Sequence, residues 1–361
     1  MSKPSRRSRG TTTIEDVARA AGVSAMTVSR VINGGQNVRE TTRNAVLEAV
    51  KKLNYSPNTA ARSLAAGEAT HIGMLYANPS AAYLSQFLIG ALHAARRAGC
   101  HLVIESCESE DPDEQAEVTR RFATSDVEGV VLPPPLSELK PIMAELEDFG
   151  IPIVTVAGAP KDSDLNVRID DHAAAVEMTR YLLDLGHRNI GFIKGHPKHV
   201  ASHDRYRGFC DALTEAGIDA VKAPVEQGYF SYRSGLSAGE RLLARTDRPT
   251  AIFASNDDMA AATVSVAHRM GLDVPDDVSV VGFDDTAPAT NVWPELTTIK
   301  QPIAAMAEAA VELLIADLRS HKAGTPRKFT ERVLSHAMII RESSGAPVSR
   351  KRKKVPAPLS G

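Results

Sequence analysis

The sequence is poor in cysteine and aromatic residues, and it has no long hydrophobic run. Its three cysteines, Cys100, Cys107 and Cys210, show no metal-ligand spacing and cannot all pair. A disulfide-stapled or metal-built fold is therefore not expected, and a reducing cytoplasm is the expected setting. No apolar stretch approaches the length of a membrane span. The opening "MSKPSRRSRG" carries charge with no apolar segment behind it, so neither a signal peptide nor a membrane anchor is expected. Catalytic signatures are missing as well. There is no P-loop, and no dinucleotide fingerprint after the first strand-like run "HIGMLYANPSAAY". No enzyme centre, cofactor or metal is called for.

What is present is divided unevenly along 361 residues, enough chain for two or three domains. The net charge of −2 conceals a basic start: residues 1–70 hold eleven Lys/Arg against five Asp/Glu, and the remainder is acidic. A basic head suits a polyanionic partner, although a solvated basic terminus would show the same balance. After a basic arm, "TTTIEDVARAAG" reads as a short helix with a capping box from Thr13 to Asp16 and a stop at Gly22. Ser24 caps a second helix reaching about Asn33, with Val28, Val31 and Ile32 inward. In "VRETTRNAVLEAVKKLNY" Val46, Leu47, Val50 and Leu53 mark a third.

A helix, a tight turn through glycine and a second helix headed by short polar residues make a helix-turn-helix. Its second helix offers Ala25, Met26, Thr27, Ser29 and Arg30. Thr and Ser suit phosphate oxygens, Arg suits a guanine edge, and Ala or Met suits a thymine methyl. A helical hairpin built only for packing would not need Arg30 beside exposed apolar residues. Next, "SPNTAARSLAAGEAT" (56–70) allows a short helix between Pro57 and Gly67 with almost no apolar face, marginal in isolation.

From His71 the pattern changes to β-branched runs alternating with helices: "HIGMLYA", "CHLVIES", "GVVLPPP", "IPIVTVA", then "NIGFIKG", "TAIFASN" and "VSVVGFD". Such runs signal parallel sheets covered on both faces, here passed through twice, with a cleft at the carboxyl ends of the strands. The expected fold class is α/β: two lobes of doubly wound parallel sheet, preceded by a small all-α helix-turn-helix domain. The expected organisation is an arm over 1–11, a head over 12–55, a hinge over 56–70, a body over 71–345 and a basic tail over 346–361. Within the body, lobe one takes about 71–160 and 300–330, and lobe two about 161–295 and 331–345.

The chain resembles the LacI/GalR family of bacterial transcriptional regulators. The match runs through "TIEDVARAAGVSAMTVSRVING", "VRETTRNAVLEAVKKLNYSPNTAARSLAAG", "HIGML", "DRYRGF", "FASNDDMA", "VSVVGFDD" and "LTTIKQP", covering about residues 12 to 343. The resemblance implies a periplasmic-binding-protein-like body and a cytoplasmic, nucleoid-associated homodimer on a pseudo-palindromic operator. It puts Ala25, Met26 and Arg30 at base-reading positions, with Thr27, Ser29 and Asn33 as backbone contacts or supports. Thr13, Ser24, Asn58 and Arg62 join the DNA-facing set. Leu64 falls where relatives wedge a leucine into the minor groove, which bends the duplex.

In the body the resemblance implies effector contacts at Arg205, Asn256, Asp284 and Gln301, an aromatic platform at Phe230, a lobe-one residue at Tyr83, and Pro133 with Pro134 at the rim. Carboxylate, amide, guanidinium and aromatic groups together suit a sugar or sugar derivative. Asp285 and Asp257 are expected as helix or segment caps. His196, His199 and His203 are spaced as for a metal, but Pro197 interrupts them and no carboxylate or Cys partner is evident, so a polar loop is expected. Where relatives carry an aspartate at the end of the fourth strand, this chain has Ala157.

The function expected is a ligand-responsive DNA-binding regulator, most simply a repressor of sugar-use genes released by its effector. Activation by the same parts stays open. A periplasmic-type sugar-binding protein would share the body but not the helix-turn-helix ahead of it.

Overall fold

The computed structural model describes residues 14–32, 38–53, 70–157, 165–323 and 329–348. Thr13, Asn33, Asn58, Arg62 and Leu64 lie outside them, as do the arm, almost all of the hinge and most of the tail. The described parts fall into two units, up to Ala69 and from Thr70 onward. Among the described residues no helix is long and apolar enough to cross a membrane.

The head holds α1 (Ile14–Ala21), α2 (Ala25–Ile32) and α3 (Glu40–Lys52). Gly22 adopts φ +66°, the left-handed conformation that lets the chain turn sharply out of α1. Ser24 Oγ accepts from Thr27 N at 3.2 Å and opens α2. Val17, Ala18, Val28, Val31, Val46 and Ala49 form the core. Leu47, expected inside, is exposed. The inward row of α3 is Val46 and Ala49, buried, with Val50 and the C-cap residue Leu53 half-buried against them, and Leu47 lies one residue around the helix from it.

The body is two six-stranded sheets. Lobe one contains β1 (His71–Tyr76), β2 (His101–Ser106), β3 (Gly129–Leu132), β4 (Ile153–Val156), β5 (Leu165–Arg168) and β11 (Thr330–Val333), in the order β11-β5-β4-β3-β1-β2. Lobe two contains β6 (Ile190–Lys194), β7 (Val225–Gln227), β8 (Ala251–Ala254), β9 (Ser279–Asp284), β10 (Thr297–Lys300) and β12 (Ala337–Ile339), in the order β12-β10-β9-β8-β6-β7. All described pairings are parallel except that of β10 with β12.

Helices α4 (Ala81–Ala98), α5 (Pro112–Ala123), α6 (Lys140–Asp148) and α12 (Ile303–Lys322) cover lobe one. Helices α7 (Asp171–Asp184), α8 (Val200–Glu215), α9 (Tyr232–Leu243), α10 (Asp257–Arg269) and the short α11 (Ala287–Asn291) belong to lobe two. Gly90 lets α4 and α12 touch backbone to backbone, because a Cβ there would come within 2.1 Å of Ala304 O.

The strand partners move the lobe borders. β5 pairs with β4, so lobe one runs on past 161 to about 169. β10 pairs with β9, so the return crossing follows 300 rather than preceding it. β11 pairs with β5, so 330–333 belongs to lobe one. The short strands β5, β7 and β11 have no continuous apolar run, and β12 is only three residues long, which hid their partners from the sequence.

Candidate functional site: the interlobe cleft

Parallel strands deliver their carboxyl ends to one side of each sheet, and both sets of ends face one cleft. β1 leads into Asn78 and Ser80, β3 into Pro134 and Glu138, and β4 into Ala157. From lobe two, β6 leads to His199, β8 to Asn256, β9 ends at Asp284 and β10 leads to Gln301. With Tyr83, Arg205 and Phe230 these residues line a cavity of about 490 Å³, counted with the solvent at its mouth. Six of the seven expected effector residues meet there. The seventh, Pro133, is buried behind the wall and its neighbour Pro134 faces the cavity.

Arg205 lies in the second turn of α8, its guanidinium 3.6 Å from the centre of the Phe283 ring. Its Nε donates to Asp171 Oδ1 at 2.8 Å and its Nη1 to Ser255 O at 2.6 Å. Asp284 Oδ1 stands 3.8 Å from Nη1 and accepts from Gln301 Nε2 at 2.6 Å. Burial pushes the Asp284 carboxyl upward, while Arg205 and the Gln301 bond oppose the shift. Asp284 sits at φ +116° and Phe230 at φ +59°, so both are held in conformations L residues rarely adopt. The Phe230 ring lies against Gly195, where a Cβ would come within 2.0 Å of it.

From lobe one, Tyr83 is buried and its hydroxyl has no hydrogen-bond partner. Burial, and next the nearby Asp284, raise its pKa. His199 stacks on Phe230 with ring centres 5.5 Å apart, and burial lowers its pKa to about 3, so the imidazole is neutral.

Three hydrogen bonds among the described residues close the cleft from lobe to lobe. Ser80 Oγ donates to Asp258 Oδ2 at 2.6 Å, and Gln86 Nε2 to Asp285 O at 3.4 Å. Val200 N donates to Glu138, 3.1 Å from Oε2 and 3.2 Å from Oε1.

Several roles differ from expectation. Asn256, rather than Asp257, caps α10: its Oδ1 accepts from Met259 N at 3.0 Å, while Nδ2 donates to Phe230 O at 2.9 Å. Asp257 is buried inside, accepting from Thr286 N at 2.8 Å and Thr298 Oγ1 at 2.6 Å. Asp285 is no cap but an ion-pair partner of Arg341 at 2.6 Å. His196 packs on His199 with ring centres 4.5 Å apart and His203 Nε2 bonds Pro197 O at 2.7 Å. Among the described residues no group of three or more His, Cys, Asp or Glu could hold a metal ion. Sequence reasoning missed Asp171, Ser80 and Glu138; each sits at a helix start or loop whose partner lies more than thirty residues away.

In the head, Met26 is 68% exposed and lies beside the exposed Arg30, whose Nη2 is 3.9 Å from Met26 Sδ. Ala25 is half-buried against the head core, and the Ser24 hydroxyl lies 2.9 Å from Thr27 Oγ1.

A three-helix head ahead of a two-lobed α/β body with a cleft between its sheets defines a ligand-binding regulator of transcription. The family comparisons agree: residues 13–58 match the model of bacterial regulatory proteins, lacI family, and residues 179–344 match the periplasmic binding protein-like domain. The chain is 35% identical over 313 residues to the HTH-type transcriptional repressor PurR of Mannheimia succiniciproducens, covering 86% of this chain and 92% of that one. Among solved structures it resembles the transcriptional regulator CelR–cellobiose complex, with TM-score 0.70, 30% identity, and 92% and 100% of the two chains covered. It also resembles the lac repressor dimer bound to operator and the anti-inducer ONPF, with TM-score 0.69, 27% identity, and 93% and 100% covered. The chain belongs to the LacI family of bacterial transcriptional regulators.

Proposed function

We propose that this protein is a homodimeric repressor whose operator binding is relieved by an uncharged, hydroxyl-rich ring compound, a sugar or sugar derivative, held in the interlobe cleft. The observation that carries this reading is the cavity's makeup: a ring platform at Phe230, acceptors at Asp284 and Glu138, a committed guanidinium at Arg205, and the unpartnered Tyr83 hydroxyl. A ring face packs on an aromatic, and its hydroxyls offer both donors and acceptors. The related structure with cellobiose and the relative named a repressor support the same assignment. Dimerisation and operator binding are proposed from the lac repressor dimer on its operator. In the head, Ala25, Met26 and Arg30 read bases; Thr27 and Ser29 support phosphate contacts. The reading is non-catalytic, in line with the transcriptional regulators to which the chain is similar.

The test is operator binding by the full-length protein, followed by fluorescence anisotropy during titration with neutral mono- and disaccharides. Release by one of them at constant salt supports the reading. Tighter DNA binding on addition of the same compound would make the ligand a corepressor and sink the inducer assignment.

A further inference from the structure

Helix α8 carries Arg205, yet its own N-cap residue, His199, gives it no side-chain cap. The first amide of that helix, Val200 N, is satisfied instead from the other lobe, by both oxygens of Glu138. Glu138 belongs to the 3-10 turn Leu136–Glu138 after β3, and Ser137 fastens that turn by donating to Val156 O at 3.1 Å. A helix whose first amide is capped across a cleft loses that cap when the cleft opens.

We propose that Glu138 is a positioning residue of the effector site, reaching across the cleft to cap the helix that carries Arg205 and so joining lobe closure to the placement of that guanidinium. The proposal rests on the effector reading of the cleft, but its test needs neither effector nor DNA.

Charge makes the latch sensitive to acidity. Facing Glu138 are Asp171 from α7, His199 at the N-cap of α8, Asp204 and Arg205 from α8, and Tyr83 from α4. Burial, then Asp171 and Asp204, push the Glu138 carboxyl up to about 7, against the Val200 bond that lowers it. His199 stays neutral and adds no compensating charge. In an open cleft the carboxyl regains water and its ordinary acidity. The closed form therefore holds the proton more tightly, so closure strengthens as pH falls through about 7 and its extra stability is lost as pH rises through that value.

The experiment is hydrogen exchange by mass spectrometry on the full-length, ligand-free chain, comparing wild type with Glu138→Ala and Glu138→Gln. Protection factors are read in peptides spanning 199–206 and 80–86. Glu138→Ala should lower protection in both peptides by about tenfold near pH 7.5, whereas Glu138→Gln, which keeps an acceptor, should stay within about threefold. On acidification from about pH 8 to about pH 6, wild-type protection corrected for intrinsic exchange should rise several-fold, and the rise should shrink in Glu138→Gln. The proposal falls if Glu138→Ala leaves both peptides as protected as wild type. It falls equally if only 199–206 loosens, since that is local fraying without lobe opening, or if the acid-induced rise survives intact in Glu138→Gln.

Discussion

Arg205 sits closer to Asp171 than to Asp284: its Nε is 2.8 Å from Asp171 Oδ1, and its Nη1 is 3.8 Å from Asp284 Oδ1. The buried cation is thus neutralised from behind by α7, which leaves the Asp284 carboxylate facing the cavity and held mainly by Gln301. Asp171 and Asp284 divide support and recognition between them.

Asp171→Ala should therefore destabilise the body itself, because it strands a buried guanidinium. Loss of one partner of a buried pair costs about 3–5 kcal/mol, seen as a large fall in Tm with or without ligand. A variant that melts with the wild type would show that Ser255 O and Asp284 suffice for Arg205.

Asp284→Ala is expected to abolish the ligand response while operator affinity without ligand stays within about tenfold of normal. Anisotropy titrations with and without the effector read both quantities. A variant that responds at the ordinary ligand concentration would remove Asp284 from the site.

Tyr83→Phe separates ligand recognition from folding. The hydroxyl has no hydrogen-bond partner among the described residues, so its removal should leave the unliganded Tm unchanged or slightly raised. Calorimetric titration should show effector affinity weakened by about tenfold, the worth of a good hydrogen bond. Unchanged affinity would mean the phenol faces no ligand atom.

Arg30→Ala in the head should cost roughly 1–3 kcal/mol of operator binding and relax preference at one base pair per half-site. Binding to a set of operators with single substitutions distinguishes this from uniform weakening, which would make Arg30 a phosphate clamp.

Leu64→Ala tests the hinge wedge: specific operator binding should fall by a few kcal/mol while salt-dependent binding to random DNA is nearly unchanged. Equal losses on both DNAs would refute the wedge.

Much of this was legible in the sequence because the signals were local. Gly22 and Ser24 announce the turn and the cap of the helix-turn-helix within three residues. The apolar runs at 71–76 and 279–284 announce buried parallel strands, and the residues just past such strands fall in the cleft by topology. The rest depended on distant partners. Asp257 reads as a helix cap until Thr286 and Thr298 are brought to it, and Asp285 until Arg341 arrives. Glu138 has no motif: its role exists only because α8 begins on the far side of the cleft. Leu47 shows the limit of periodicity, since one residue of offset moves a leucine from core to water.

The chain passes between the lobes three times, after β5, after β10 and after β11. Lobe one is therefore begun at His71 but remains without the α12 layer and the β11 edge until residues 303–333 exist. During synthesis lobe two lacks only its β12 edge before its older neighbour can close its core, so both lobes are completed by residues after 300. Long-range closure of this kind slows folding and leaves apolar strand faces waiting. A ribosome stalled between β10 and α12 would hold lobe one with its α4 face bare, a natural client for chaperones.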